Sequence, residues 1–221
     1  ANTIAALTVL EALQELKSHA VVVLCGSAAE YGRCGPELMP LSESLPACPV
    51  DSYGASKLAQ TQLARLAIAG GMSVIVTRPF NIIGARMPER LALGSFLAQI
   101  SRSKSAEICQ IRVGNLAARR DFVVIDDAVR AWWELSNLPE ALGKIINICS
   151  GTPMSIAELF YMLKEASPIP IEAVVDHSTI RPVDTPISFG DNSLLTRLLS
   201  WSPSAPTLSD VRRIVQDHLS C

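Results

Sequence analysis

Three short runs of aliphatic and β-branched residues, AVVVLC (20–25), MSVIVTRPF (72–80) and KIINICS (144–150), constrain this chain more than any other feature. Each reads as a strand covered on both faces, the signature of a parallel sheet flanked by helices. The sequence between them supplies the helices. Leu7, Leu10, Leu13 and Leu16 recur at steps of three within residues 4–16, and a second helical pattern runs over 51–69. Helix, strand, long loop, helix, strand in that order argues for an α/β fold. The loop over 32–49, rich in Pro and small polar residues, is long for a compact domain, and such loops are more often functional than idle.

After Gly84 the texture changes. A helix is expected over 91–101, a short strand over 108–113, a polar loop, and a helix over about 126–137. A further helix over 155–166 opens on Ser155, with Glu158 completing a capping box. A strand at 171–175, a Pro-rich loop at 180–187 and two short helices ending near Leu219 complete the expectation. The division read from this pattern is a parallel α/β layer over residues 1–84, and a smaller α/β lobe over 85–221 interleaved with the last strands of that layer.

Composition removes several function classes. The 221 residues are 49% hydrophobic with a mean hydropathy of +0.30, which excludes a disordered chain. Nineteen Lys+Arg against 21 Asp+Glu leave a net charge of −2, without the basic footprint of a nucleic-acid binder. An anionic ligand must then be met by a few placed arginines. The six cysteines form no C-x-x-C pair and no His lies at ligand spacing, so no metal site is expected. They read as reduced thiols of a cytoplasmic protein, Cys25 and Cys149 as buried ones. The longest apolar run, 20–25, is far short of the ~20 residues of a membrane span, and no signal-peptide pattern is present.

Two elements carry chemistry. In YGASK, Tyr53 and Lys57 stand four apart at the start of a helix, hence on one face. An ammonium beside a phenol stabilises the phenolate, which suits proton exchange during carbonyl–alcohol interconversion. The pair alone is a weak signal. Ser27 strengthens it: in CGSAAEYG it directly follows the strand 20–25, and ligands of open α/β sheets bind outside the carboxyl ends of strands. Its competing role is to cap a turn. RPFNIIG (78–84) likewise leaves the carboxyl end of the next strand.

The succession GSAAEYG, P-x-x-x-YGASK, RPFNIIG resembles the extended short-chain dehydrogenase/reductase family, whose members act on nucleotide sugars. GNLAARRDFVVIDDAVRAWW (114–133), NICSG (147–151) and RPVDTP (181–186) are similar to segments of its GDP-4-keto-6-deoxymannose reductases and, next, its GDP-mannose 4,6-dehydratases. The resemblance spans nearly the whole chain. It implies a Rossmann-like parallel sheet, NAD(P)H as cofactor and a GDP-sugar as the favoured substrate. It implies Ser27, Tyr53 and Lys57 as the catalytic set: Tyr53 as general acid, Lys57 favouring its ionised form and holding the nicotinamide ribose, Ser27 bonding the reacting oxygen. Pro79 and Phe80 would border the nicotinamide. Asn81, Arg86, Arg120 and Arg181 would face the sugar nucleotide, Arg120 and Arg181 at its diphosphate. Asp121 and Asp126 read as structural, Arg119 as a solvated charge. A homodimer through helices 4–16 and 53–69 is implied as well.

Dehydratases of the family carry acid–base residues directly after the catalytic hydroxyl, where this chain has Ala28 and Ala29. That disfavours dehydration and leaves 4-keto reduction first, 4-epimerisation second, and a nucleotide-sugar-binding remnant without cofactor third. The family's G-x-x-G-x-x-G pyrophosphate motif has no counterpart in these residues. The expectation is therefore that the N-terminal strands of the Rossmann sheet are missing. The 221 residues by themselves should then be catalytically silent, with no NAD(P)H affinity.

Overall fold

The computed structural model describes residues 2–103, 107–176, 178 and 185–220. Its first layer is a three-stranded parallel sheet of β1 (Val22–Cys25), β2 (Val74–Pro79) and β6 (Ile145–Ile148), with β2 in the centre. The register aligns Val22 with Val74 and Thr77 with Ile146. Every residue of β2 is buried, as a strand covered on both faces requires. Helices α1 (Asn2–Glu15) and α2 (Ser52–Ala69) cover one face, where Ala6, Leu10 and Ala64 meet Leu24, Val74 and Val76. Helices α4 (Ile125–Ser136) and α6 (Ser193–Leu199) cover the other, packing Ala128, Ala131, Leu135 and Leu195 on Ile75, Ile146 and Ile148.

A second sheet is built around β5 (Arg119–Val124). It pairs with β3 (Asn81–Ile83) in parallel, with β7 (Pro153–Ser155) antiparallel, and with the two-residue β9 (Ile187–Ser188) in parallel. A third, two-stranded sheet joins β4 (Cys109–Val113) to β8 (Ile171–Val175). Helices α3 (Ala92–Arg102), α5 (Ile156–Ala166) and α7 (Leu208–Leu219) close over these strands on the largest core cluster, with Phe96 and Phe160 edge to face at 5.5 Å.

Three expectations need correction. The 20–25 run is packed on both faces, Leu24 toward α1 and α2 and Val23 toward the α4 and α6 cluster. But β1 is an edge strand with β2 as its only described neighbour, so Val22 and Val23 are only half-buried and Cys25 is exposed, not buried. Cys149 is buried as expected. The polar loop expected before α4 holds β5, a strand whose charged first half is paired on both sides. Arg119 there is not only a solvated charge: its side chain is 44% exposed, but its Nη2 donates to Pro153 O at 2.7 Å and its Nη1 lies 3.5 Å from Glu158. The expected Pro-rich loop falls mostly outside the described residues. Among the described residues no helix is long and apolar enough to cross a membrane, and the five described cysteines are free thiols.

The capping box of α5 is formed as read. Ser155 Oγ accepts the Glu158 N–H at 3.1 Å, and the Glu158 carboxylate accepts the Ser155 N–H at 2.7 Å. Ser155→Ala is expected to lower stability by about 1 kcal/mol in urea unfolding. The Ser155 N–H and hydroxyl hold the Glu158 carboxyl below its ordinary 4.5. A depressed carboxyl contributes stability above its unfolded value and loses it as protonation proceeds. The difference between wild type and variant should therefore shrink as pH falls below 4.5.

Candidate active site

The chain leaves β1 in a tight turn. Gly26 N–H donates to Thr77 O at 2.8 Å, so the turn hugs β2. Ser27 then caps a 3-10 turn, Ala28–Tyr31. Its Oγ accepts the Ala29 N–H at 3.1 Å while its own N–H donates to Glu30 Oε1 at 3.0 Å. The capping role is thus real, but it uses an oxygen lone pair. The hydroxyl proton is given to no described group and is free to be donated.

Asp51 caps α2 by accepting the Gly54 N–H at 2.7 Å, and Tyr53 and Lys57 occupy the first two turns. Lys57 Nζ donates to Cys25 O at 2.8 Å and lies 6.0 Å from the centre of the Tyr53 ring. Gly54 lies against the 3-10 turn: a Cβ there would sit 2.6 Å from Ala29 O and 2.9 Å from Pro49 Cβ. This stretch of α2 therefore touches the chain two residues before Ser27 and two residues after it. Tyr53 stays 50% exposed, and its hydroxyl bonds no described group.

A buried polar floor underlies the turn, and the sequence reading assigned it nothing. Glu30 is fully buried. Its Oε2 accepts from Arg78 Nε at 3.0 Å and from Thr61 Oγ1 at 2.9 Å. The Arg78 guanidinium stacks 4.6 Å from the Tyr31 ring centre, and Tyr31 OH donates to Asn147 Oδ1 at 2.7 Å. Burial pushes the Tyr31 phenol up to about 12, against the pull of Arg78. Asn147 also donates its amide to Leu41 O at 2.8 Å and its N–H to Glu43 Oε1 at 2.9 Å, pinning the 32–49 loop to β6. Two signals could have revealed this floor. Ser27-x-x-Glu30 is a capping-box pattern, and an arginine inside an otherwise apolar strand needs a buried partner.

The other named residues are spread around this centre. Pro79 and Phe80 are buried, the Phe80 ring in a cluster with Tyr31, Leu41 and Cys149. Asn81 is exposed and donates its amide to Asp121 O at 2.8 Å. Arg86 is exposed after β3. Arg120 Nη1 donates to Arg119 O and Thr185 O at 2.8 and 2.7 Å, tying β5 to the segment leading into β9. Arg181 lies outside the described residues. Asp121 is fully buried and accepts from Ser150 N and Oγ, Gly151 N and Gly190 N, all at 2.8–3.1 Å. Burial raises its carboxyl and these donors oppose the rise. Asp126 pairs with Arg213 at 2.7 Å.

A parallel sheet with a hydroxyl at the carboxyl end of one strand and a Tyr–Lys helix laid against it defines a class, and comparison with known proteins agrees. Residues 1–149 match the family model of the NAD dependent epimerase/dehydratase family, and the chain belongs to that family. It is similar to GDP-6-deoxy-D-mannose reductase of Pseudomonas aeruginosa, 29% identical over 98% of this chain and 71% of that protein. It is also similar to dTDP-6-deoxy-L-talose 4-dehydrogenase (NAD(P)(+)) of Kitasatospora kifunensis, 30% identical over 97% of this chain and 68% of that protein. Among solved structures, RMD from Pseudomonas aeruginosa complexed with NADPH superposes with a TM-score of 0.89, at 28% identity over 99% of this chain and 73% of that one.

Proposed function

We propose that the chain provides the proton-transfer and nucleotide-sugar parts of an NAD(P)H-dependent reductase that converts a 4-keto-6-deoxy nucleotide sugar, of the GDP-4-keto-6-deoxymannose type, to its alcohol. The observation that carries this reading is the contact of α2 with the chain on both sides of Ser27, which gathers Ser27, Tyr53 and Lys57 at the end of one strand. The open Tyr53 hydroxyl and the two donors that Lys57 retains beyond Cys25 O fit the ribose and reacting carbon of a nicotinamide. When bound, that cofactor supplies hydride. Tyr53 delivers the proton to the carbonyl oxygen, Lys57 holds the phenol and the ribose, and Ser27 donates a hydrogen bond to the same oxygen. Pro79 and Phe80 set the rim by their backbone.

Residues 85–221 carry most of the sugar-nucleotide contacts. Arg120 and Arg181 are assigned to the diphosphate, with Asn81 and Arg86 at the edge. The outward apolar residues of α1 and α2, Ile4, Val9 and Leu66, support a homodimer through these two helices in a cytoplasmic protein.

The reaction type rests on Ala28 and Ala29, which cannot carry a proton. Extended with a glycine-rich cofactor-binding segment, the protein is expected to consume the GDP-linked 4-keto sugar with stoichiometric NAD(P)H oxidation and to leave GDP-mannose unchanged. Water loss from GDP-mannose without net cofactor change would replace this reading by the dehydratase. Interconversion of 4-epimers without net oxidation would replace it by the epimerase.

A further inference from the structure

A cavity of about 280 Å³ opens between the loop segment 43–47 and the side of α2 that carries Leu58, Gln62 and Arg65, with Arg78 in its wall. Ser27, Tyr53 and Lys57 do not line it. Its chemistry is unresolved within the protein. The Arg78 side chain is 3% exposed, and its Nε is spent on Glu30, but Nη1 is buried without any hydrogen-bond partner. A buried charged donor left unpaired is costly, so a group presenting an acceptor there recovers that loss. Arg65, exposed at the mouth, makes no hydrogen bond or ion pair with any described residue. Two guanidinium groups around one small cavity suit an oxyanion, whose oxygens take their N–H forks.

Glu43 lines the same cavity and narrows the choice. One of its oxygens accepts the Asn147 N–H at 2.9 Å. A carboxylate has about four acceptor positions, so it still asks for a donor. A fully ionised oxyanion offers none and would be repelled. Inorganic phosphate keeps a P–OH at neutral pH and satisfies both walls. A phosphate monoester, with its second ionisation near about 6, has largely lost that proton, and sulfate has none.

We propose that this cavity binds inorganic phosphate as the hydrogen phosphate ion, with Arg65 and Arg78 on its oxygens and Glu43 accepting from its P–OH. Calorimetric titration of the 221-residue chain at pH 7.5 with inorganic phosphate, sulfate and a hexose 1-phosphate is the test. Saturable phosphate binding is expected, with sulfate and the monoester weaker by about tenfold or more, the worth of one charge-assisted hydrogen bond. Arg65→Ala removes an exposed side chain and should weaken phosphate by about 10–100-fold on the same basis. Glu43→Gln keeps an acceptor for Asn147 and turns a donor to the ligand, so sulfate should then bind at least as well as phosphate. Circular dichroism and thermal unfolding establish that each variant is folded. No phosphate binding, equal binding of sulfate by the wild type, or unchanged affinity in Arg65→Ala would each overturn the proposal.

Discussion

Tyr53→Phe, assayed in a form of the protein that carries the cofactor-binding segment, should lower kcat for the 4-keto sugar by about 10²–10⁴-fold, the range for loss of a positioned proton donor. Its hydroxyl bonds nothing described, and the residue is half exposed, so the change leaves the packing of α2 intact. Affinity for the nucleotide sugar should hardly move, because its anionic grip is assigned to arginines elsewhere. A matching loss of affinity, or a fall in kcat below about tenfold, would take Tyr53 out of the proton-transfer role.

The largest stability effect should come from Glu30→Ala. One carboxylate holds the Ser27 N–H, the Thr61 hydroxyl and the Arg78 guanidinium. Removing it strands Arg78 among buried groups, and breaking a buried pair from one side costs about 3–5 kcal/mol. Urea unfolding at neutral pH measures it. Replacing both partners, Glu30→Ala with Arg78→Met, should recover a substantial part, because the stranded charge goes with its partner. If the double variant is as unstable as the sum of the singles, the pair is not coupled in the way its 3.0 Å geometry implies.

Much of the layering was legible because it is written in local periodicity. α2, α5 and β8 lie within a residue or so of their expected limits, each announced by a cap or by an aliphatic run. β5 was not legible. Arg119, Arg120 and Asp121 look like loop residues until partners on both sides are known, and those partners come from residues 153–155 and 187–188. β1 was over-read for the opposite reason: its composition suits a covered strand, whereas its cover depends on which neighbours stand beside it.

The site divides in the same way. Ser27, Tyr53 and Lys57 could be read because their spacing is a property of one helix and one strand end. The Glu30–Arg78 pair could not be placed by spacing, since it joins residues 48 apart and only burial turns it into a requirement. Asp121 and Arg119, both given no part in the site, fare unevenly for the same physical reason. Asp121 is structural as read, because backbone donors converge on it. Arg119 is not idle, because a neighbouring strand offers it a carbonyl.

The bonds made by Asn147 fix an order of events. Translation delivers the hydroxyl, the phenol and the ammonium of Ser27, Tyr53 and Lys57 well before Asn147, the residue that anchors the loop beside them. Tyr31, Leu41 and Glu43 wait for a residue 116, 106 and 104 positions downstream, which in turn bonds the carbonyl of Asp191. Contacts of such separation pay their loop-closure entropy before any reward. A ribosome-bound chain halted before residue 147 would therefore carry all three reactive side chains while its 32–49 loop still swings free, open to a protease that the finished protein resists.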